Sequence, residues 1–132
     1  MAEPHRFSVR VYYEDTDFSG IVYHAAYLHY FERARTEFLR AVGVHHSELM
    51  REGIAFAVRS MQIEFDAAAQ IDDLLEVETE VEEMTAARLR LDQRILRAGK
   101  VITRARVLVV AINGAGRPAR LPKLVLERMR QG

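Results

Sequence analysis

The amino-acid sequence predicts an α+β domain in which one long helix packs against an antiparallel sheet of five strands. Three observations carry this expectation. Residues 25–42 repeat their apolar side chains with the period of a helix, whereas one run before them and four runs after them alternate with the period of a strand. The chain has 132 residues, which suits a single domain over 1–132 and leaves no room for two.

Phe7, Val9 and Val11 alternate with Ser8, Arg10 and Tyr12, the pattern of a first strand. After Asp15-Thr16-Asp17-Phe18-Ser19-Gly20 the period changes. At about 100° per residue, Tyr27, Leu28, Tyr30, Phe31, Ala34, Phe38, Leu39, Ala41 and Val42 fill about half of a helical wheel. His29, Glu32, Arg33, Thr36, Glu37 and Arg40 fill the other half, and Arg35 intrudes on the apolar side with Glu32 one turn back as its expected partner. Gly43 supplies a left-handed stop. So broad an apolar face calls for a sheet that curls around the helix.

A connector over Gly43-Val44-His45-His46-Ser47 and a short helical turn lead to Gly53. Phe56 and Val58 then point one way while Met61, Ile63 and Phe65 continue in the opposite phase, which predicts a bulge near Ser60. Leu75, Val77, Thr79 and Val81 alternate with Glu76, Glu78, Glu80 and Glu82, and Leu89, Leu91, Gln93 and Ile95 follow the same rule. Ala98-Gly99 reads as a hairpin turn. The last strand, 101–112, is apolar on both sides after Arg106 and is expected inside the sheet. Leu121-Pro122 introduces a short basic tail.

Composition narrows the function classes. No run of about 18 apolar residues exists to cross a membrane. The start, Met1-Ala2-Glu3-Pro4-His5-Arg6, lacks the apolar stretch of a secretory leader. Cysteine is absent, which removes disulfides, thiolate metal sites and cysteine nucleophiles and suits a reducing cytoplasm. The net charge is zero, but residues 1–83 hold 7 Lys and Arg against 17 Asp and Glu, while residues 84–132 hold 12 against 2. Either acidic and basic strands lie side by side, or the basic half forms a surface for cofactor phosphates or an acidic carrier protein. Arginines that alternate with core residues in a neutral chain argue against nucleic acid.

The polar loop between the first strand and the helix is the one stretch that folding alone does not demand. A helix start exposes backbone N–H groups at the positive end of the dipole, a place for an anion or a developing oxyanion. A carboxylate held just before it could attack a carbonyl gripped there, or deprotonate water for that attack. The same aspartates could instead only shape the turn. Asp15-x-Asp17-x-Ser19-Gly20 also opens like a calcium loop, but its twelfth position is Ala26 where a bidentate glutamate is needed, and a strand precedes it. His45-His46 lack the spacing of a zinc site, and no Gly-x-Ser-x-Gly elbow is present.

The segment Arg10-Val11-Tyr12-Tyr13-Glu14-Asp15-Thr16-Asp17-Phe18-Ser19-Gly20-Ile21-Val22-Tyr23-His24, continuing to Phe31-Glu32-Arg33-Ala34-Arg35-Thr36-Glu37, resembles the YbgC-type acyl-CoA thioesterases, relatives of the 4-hydroxybenzoyl-CoA thioesterases. The similarity extends through Gln93-Arg94-Ile95 and Val107-Leu108-Val109-Val110 to Arg120-Leu121-Pro122-Lys123. The resemblance implies a hotdog fold, a homodimer with sites at the subunit interface, often paired into tetramers, and hydrolysis of an acyl thioester of coenzyme A or of acyl carrier protein. Coenzyme A then enters as part of the substrate, with no metal or organic cofactor. It also implies that Asp17 is the catalytic carboxylate and that the backbone N–H of His24 polarises the thioester carbonyl, with Tyr23 beside it. Arg88 departs from the family, where a small hydroxyl residue is expected. With Arg90, it is the candidate for binding the phosphates of the substrate. Glu32 and Glu64 are spare carboxylates. The alternatives are a hotdog dehydratase, which would use a His–carboxylate pair, and a non-catalytic adaptor for acyl carrier protein or an envelope complex.

Overall fold

The computed structural model describes residues 3–131. Met1, Ala2 and Gly132 lie outside the described residues, and with them the first two positions of the stretch read as lacking a leader. The elements follow in the order β1 (His5–Arg10), a 3-10 turn (Tyr13–Asp15), α1 (His24–Ala41), α2 (His46–Arg51), β2 (Ile54–Phe65), β3 (Leu74–Met84), β4 (Arg88–Arg97), β5 (Lys100–Asn113) and α3 (Lys123–Gln131). The strands form one antiparallel sheet in the order β1-β3-β4-β5-β2, which leaves β1 and β2 at the edges and β5 inside.

Period two puts Leu75, Val77 and Thr79 of β3, Leu89, Leu91, Gln93 and Ile95 of β4, and Ala105, Val107 and Val109 of β5 on one buried face. Against it α1 packs Ala26, Tyr27, Tyr30, Phe31, Ala34, Phe38 and Leu39. This single helix wrapped by a five-stranded sheet is the hotdog arrangement. The helix ends as its sequence requires: Gly43 takes φ +82°, and the N–H groups of Gly43 and Val44 close back on the carbonyls of Arg40 and Leu39 at 3.0 and 2.8 Å. The bulge falls between Val58 and Ser60 and restores the phase, so that Val58, Met61, Ile63 and Phe65 sit opposite Val109, Val107, Ala105 and Thr103. Ala98 and Gly99 both have positive φ, as a two-residue hairpin turn demands.

Three expectations need correction. The basic C-terminal segment is not a tail but the helix α3, which buries Val125 and Met129 one turn apart, in line with the buried Leu121. Leu28 and Ala41 lie outside the buried stripe, Leu28 being 44% exposed, because the sheet covers a narrower arc of α1 than its apolar residues span. Arg35 does not ion-pair with Glu32; its Nη1 donates to Gln93 Oε1 on β4 at 3.1 Å.

The opposed charges meet on the outer face of the sheet. Arg94 on β4 donates to Glu78 at 3.0 Å and Glu80 at 2.6 Å on β3, and to Asp92 at 2.9 Å. Arg106 of β5 joins Glu82 at 2.8 Å, and Arg97 joins Asp73 at 2.9 Å. Much of the charge asymmetry along the chain is therefore cross-strand pairing.

Candidate active site

The connection from β1 to α1 is folded by its own polar atoms. Asp15 accepts the Tyr12 N–H at 2.9 Å and so closes the 3-10 turn. Thr16 and Val22 bridge across the loop, and Asp17 N–H donates to Ile21 O at 3.0 Å. Gly20, at φ +79°, turns the chain between them and donates to Asp17 O at 3.0 Å. Within this turn Asp17 Oδ1 accepts the Ser19 N–H at 2.9 Å, the Ser19 hydroxyl at 2.6 Å and the Ile21 N–H at 3.4 Å. Asp17 Oδ2 takes part in no hydrogen bond among the described residues and faces solvent with the rest of the exposed side chain. The Ser19 hydroxyl, then the Ser19 N–H, hold the Asp17 carboxyl below the usual carboxylate range. The aspartate thus shapes its turn with one oxygen and leaves a charged second oxygen free.

The helix start lies beside this turn. Tyr23 N–H donates to Asp15 O at 3.3 Å and the Tyr23 hydroxyl to Glu14 O at 3.1 Å, which tie the first residue before α1 back to the loop. No hydrogen bond among the described residues uses the N–H of His24 or Ala25, so two donors at the positive end of an 18-residue helix point out unpaired. The His24 ring stacks on Phe65 at 4.6 Å, and Tyr27 meets the same ring edge-on at 5.2 Å. The Tyr27 hydroxyl accepts the Ala69 N–H at 2.9 Å, while Val22 N–H donates to Ala69 O and Ile71 N–H to Gly20 O. The β2–β3 connection thereby clamps the loop against the helix. Phe18, Tyr12 and Tyr13 stand exposed on the same loop.

Asp17, Tyr23 and His24 therefore lie on one loop and the helix start it leads into, with Asp15 hydrogen-bonded to both Tyr12 and Tyr23 as scaffold. Arg88 and Arg90 are not with them in one chain. The loop docks at the start of β3 through Val11 N–H and Asp73 O at 2.9 Å, whereas Arg88 and Arg90 lie at the far end of the β3–β4 hairpin, beside Glu83 and Met84. Across those strands the separation is about 30 Å. Arg90 comes within 3.8 Å of Glu83, and both arginines are exposed. Glu32 lies on α1 at a cavity mouth, and Glu64, although next to Phe65 in sequence, lies on the outer face of the sheet.

Two residues near the loop have surroundings that sequence pattern does not reveal. Ser19, which polarises and holds Asp17, looks like an ordinary turn residue. Tyr30 reads as core, yet its buried hydroxyl has no hydrogen-bond partner among the described residues, and burial followed by the nearby Asp15 carboxylate push its pKa up. No three His, Asp or Glu side chains among the described residues are placed to share a metal ion.

The chain is similar to known thioesterases along most of its length. The family described as the thioesterase-like superfamily matches residues 11–129. Acyl-CoA thioesterase YbgC of Haemophilus influenzae is 47% identical over 121 residues, covering 90% of this chain and 89% of its own. Acyl-CoA thioester hydrolase YbgC of Escherichia coli O6:H1 is 44% identical over 128 residues, 96% of each chain. Among solved structures, a probable thioesterase of Bartonella henselae superimposes with a TM-score of 0.85 at 44% identity, over 90% of this chain and 99% of that one.

Proposed function

The chain belongs to the thioesterase-like superfamily, among the YbgC-type acyl-CoA thioesterases, and from that premise we propose that it hydrolyses acyl-CoA with Asp17 as the catalytic carboxylate. What supports this reading is the free, ionised Oδ2 of Asp17 in a turn tied through Asp15 O and Tyr23 N–H to the start of α1, where the N–H groups of His24 and Ala25 have no partner among the described residues. Those N–H groups receive the thioester oxygen and stabilise the negative charge that collects on it. In the general-base route, Oδ2 takes a proton from water, and the water oxygen attacks the carbonyl carbon. The C–S bond then breaks, and the coenzyme A thiolate leaves and takes up the proton. In the nucleophilic route, Oδ2 itself attacks, the thiolate leaves, and water hydrolyses the resulting anhydride. Neither route requires a metal or an organic cofactor, since coenzyme A is part of the substrate.

The working unit is a homodimer. β2 is an edge strand whose backbone has no strand beside it on one side among the described residues, and it carries the half-exposed Val58 and Phe65. Pairing two copies antiparallel along β2 would place the Phe65 end of one, with its Asp17 loop, against the Phe56 end of the other. The site then spans both chains, and dimers can associate further into tetramers. No helix among the described residues is long and apolar enough to cross a membrane, and the cytoplasm, where acyl-CoA and acyl carrier protein are found, is the setting this chemistry fits. Thiol release across a panel of acyl-CoAs tests the reaction. Single turnover in ¹⁸O-water tests the nucleophilic route: water attacking the aspartyl carbonyl of an anhydride leaves the label on Asp17, whereas a general base sends it only to the product acid. A chain that binds acyl-CoA and releases no thiol returns the protein to the adaptor reading.

A further inference from the structure

A cavity of about 120 Å³ opens between α1 and the inner face of β2, β4 and β5, remote from the Asp17 loop of its own chain. Its walls are apolar, formed by Leu39, Phe56, Leu89, Leu91 and Val109. Its polar groups are Arg35, Thr36 and His46, with Glu32 at the exposed mouth. An apolar cavity of about 150 Å³ holds one benzene, so this one holds a group of roughly four or five heavy atoms.

Arg35 is the unusual member. Its guanidinium is half-buried and anchored at 3.1 Å on Gln93, a fully buried amide that is itself fixed by donating to Phe31 O at 3.1 Å and to Thr79 Oγ1 at 3.0 Å. Arg35 forms no ion pair among the described residues, although a half-buried cation normally has one. Burial pulls its pKa down, and Glu32 offsets this only in part. A rigidly held fork with spare N–H donors matches the two oxygens of a carboxylate.

We propose that this cavity receives the distal end of the acyl group and that Arg35 selects a short acyl chain ending in a carboxylate. This rests on the thioesterase reading and on the β2-paired dimer, in which the Asp17 loop of the partner subunit reaches the Phe56 end of this chain. Thr36 and His46, 3.5 Å apart, complete the polar wall.

The test compares glutaryl-CoA with 5-methylhexanoyl-CoA, which has the same shape with an isopropyl group in place of the carboxylate. Wild type should favour glutaryl-CoA in kcat/KM. In Arg35→Met the ratio of the two should fall about 10- to 100-fold, the range for losing a charged hydrogen-bond partner. Arg35→Lys, which keeps charge and most of the volume but not the fork, should lie between and serves if the methionine variant does not fold. A wild-type preference for 5-methylhexanoyl-CoA, or an equal loss on both substrates, overturns the proposal. Dissociation of Arg35→Met to monomers would also overturn it, by making Arg35 an interface residue. Absence of thiol release from every acyl-CoA tested would instead remove the thioesterase reading, and this inference with it.

Discussion

Asp17 commits Oδ1 to its own turn and keeps Oδ2 free, and that division makes the loop testable one atom at a time. Asp17→Asn retains an oxygen for Ser19 but loses charge and basicity, so kcat should fall at least about 10²-fold with folding nearly intact. Asp15→Asn, which disturbs only the scaffold, should cost far less in kcat. Equal losses in the two, measured on the same acyl-CoA, would count against Asp17 as the reacting group. The pH dependence follows from the lowered pKa. Asp17 is charged at neutral pH and stays so until pH falls below the usual carboxylate range, so the acid limb of kcat/KM should lie there. Ser19→Ala removes the largest cause of that lowering while leaving the Ser19 N–H in place. Its acid limb should therefore move up toward the ordinary value of about 4, with a loss of several-fold in kcat. A pH profile superimposable on wild type would show that the hydroxyl does not tune the carboxylate.

At the scale of the elements, α3 shows what local pattern conveys and what it hides. Leu121, Val125 and Met129 recur every four residues, the spacing of one helical face, yet Lys123, Glu127, Arg128 and Arg130 around them read as a charged tail. The helix closes over the end of α1, where the Arg128 guanidinium donates to Gly43 O at 2.8 Å. Met129→Ala should cost about 2–3 kcal/mol of stability, measured as a lower urea midpoint, with kcat/KM of the folded protein unchanged. An unaltered midpoint would mean that α3 contributes little to the fold. The strands, the bulge at Ser60, the long helix and the Asp17 loop were legible because each is written within a few consecutive residues. The Arg35–Gln93 contact was not: spacing reveals Glu32 one turn away, but nothing local reveals a partner 58 positions on across the layer. The proposed binding of phosphates by Arg88 and Arg90 also belongs to this scale, since both lie at the start of β4. If they meet coenzyme A in the assembled enzyme, KM for acyl-CoA should rise with salt while kcat barely moves, and acyl-pantetheine should show no such rise. The same salt response for both substrates would leave these arginines as surface charges.

For the molecule as a whole, the decisive question is whether one chain contains a complete site. The start of α1, into which the Asp17 loop leads, is held against the Phe65 end of β2 by His24 and Tyr27, whereas the Arg35 cavity lies at the Phe56–Val58 end. Along an extended strand these ends are about 25 Å apart, too far for a short acyl group to bridge while its thioester reaches Asp17. Antiparallel pairing of two β2 edges removes the distance, because it reverses one strand against the other and sets each loop beside the partner's cavity. An isologous dimer has two such sites, each mixing the chains. This can be tested without knowing the natural acyl group. Asp17→Asn disables the loop of a chain, and Thr36→Trp fills its cavity, so each homodimer should be nearly inactive. In a heterodimer of the two, isolated with a different affinity tag on each chain, one site carries both lesions and the other carries neither. Its activity should return to roughly half that of wild type, as expected for one intact site of two. If loop and cavity of the same chain worked together, every site in the heterodimer would carry one lesion and no activity would return. Light scattering on the same preparation must report at least a dimer, and a stable, active monomer at micromolar concentration would reject the shared site.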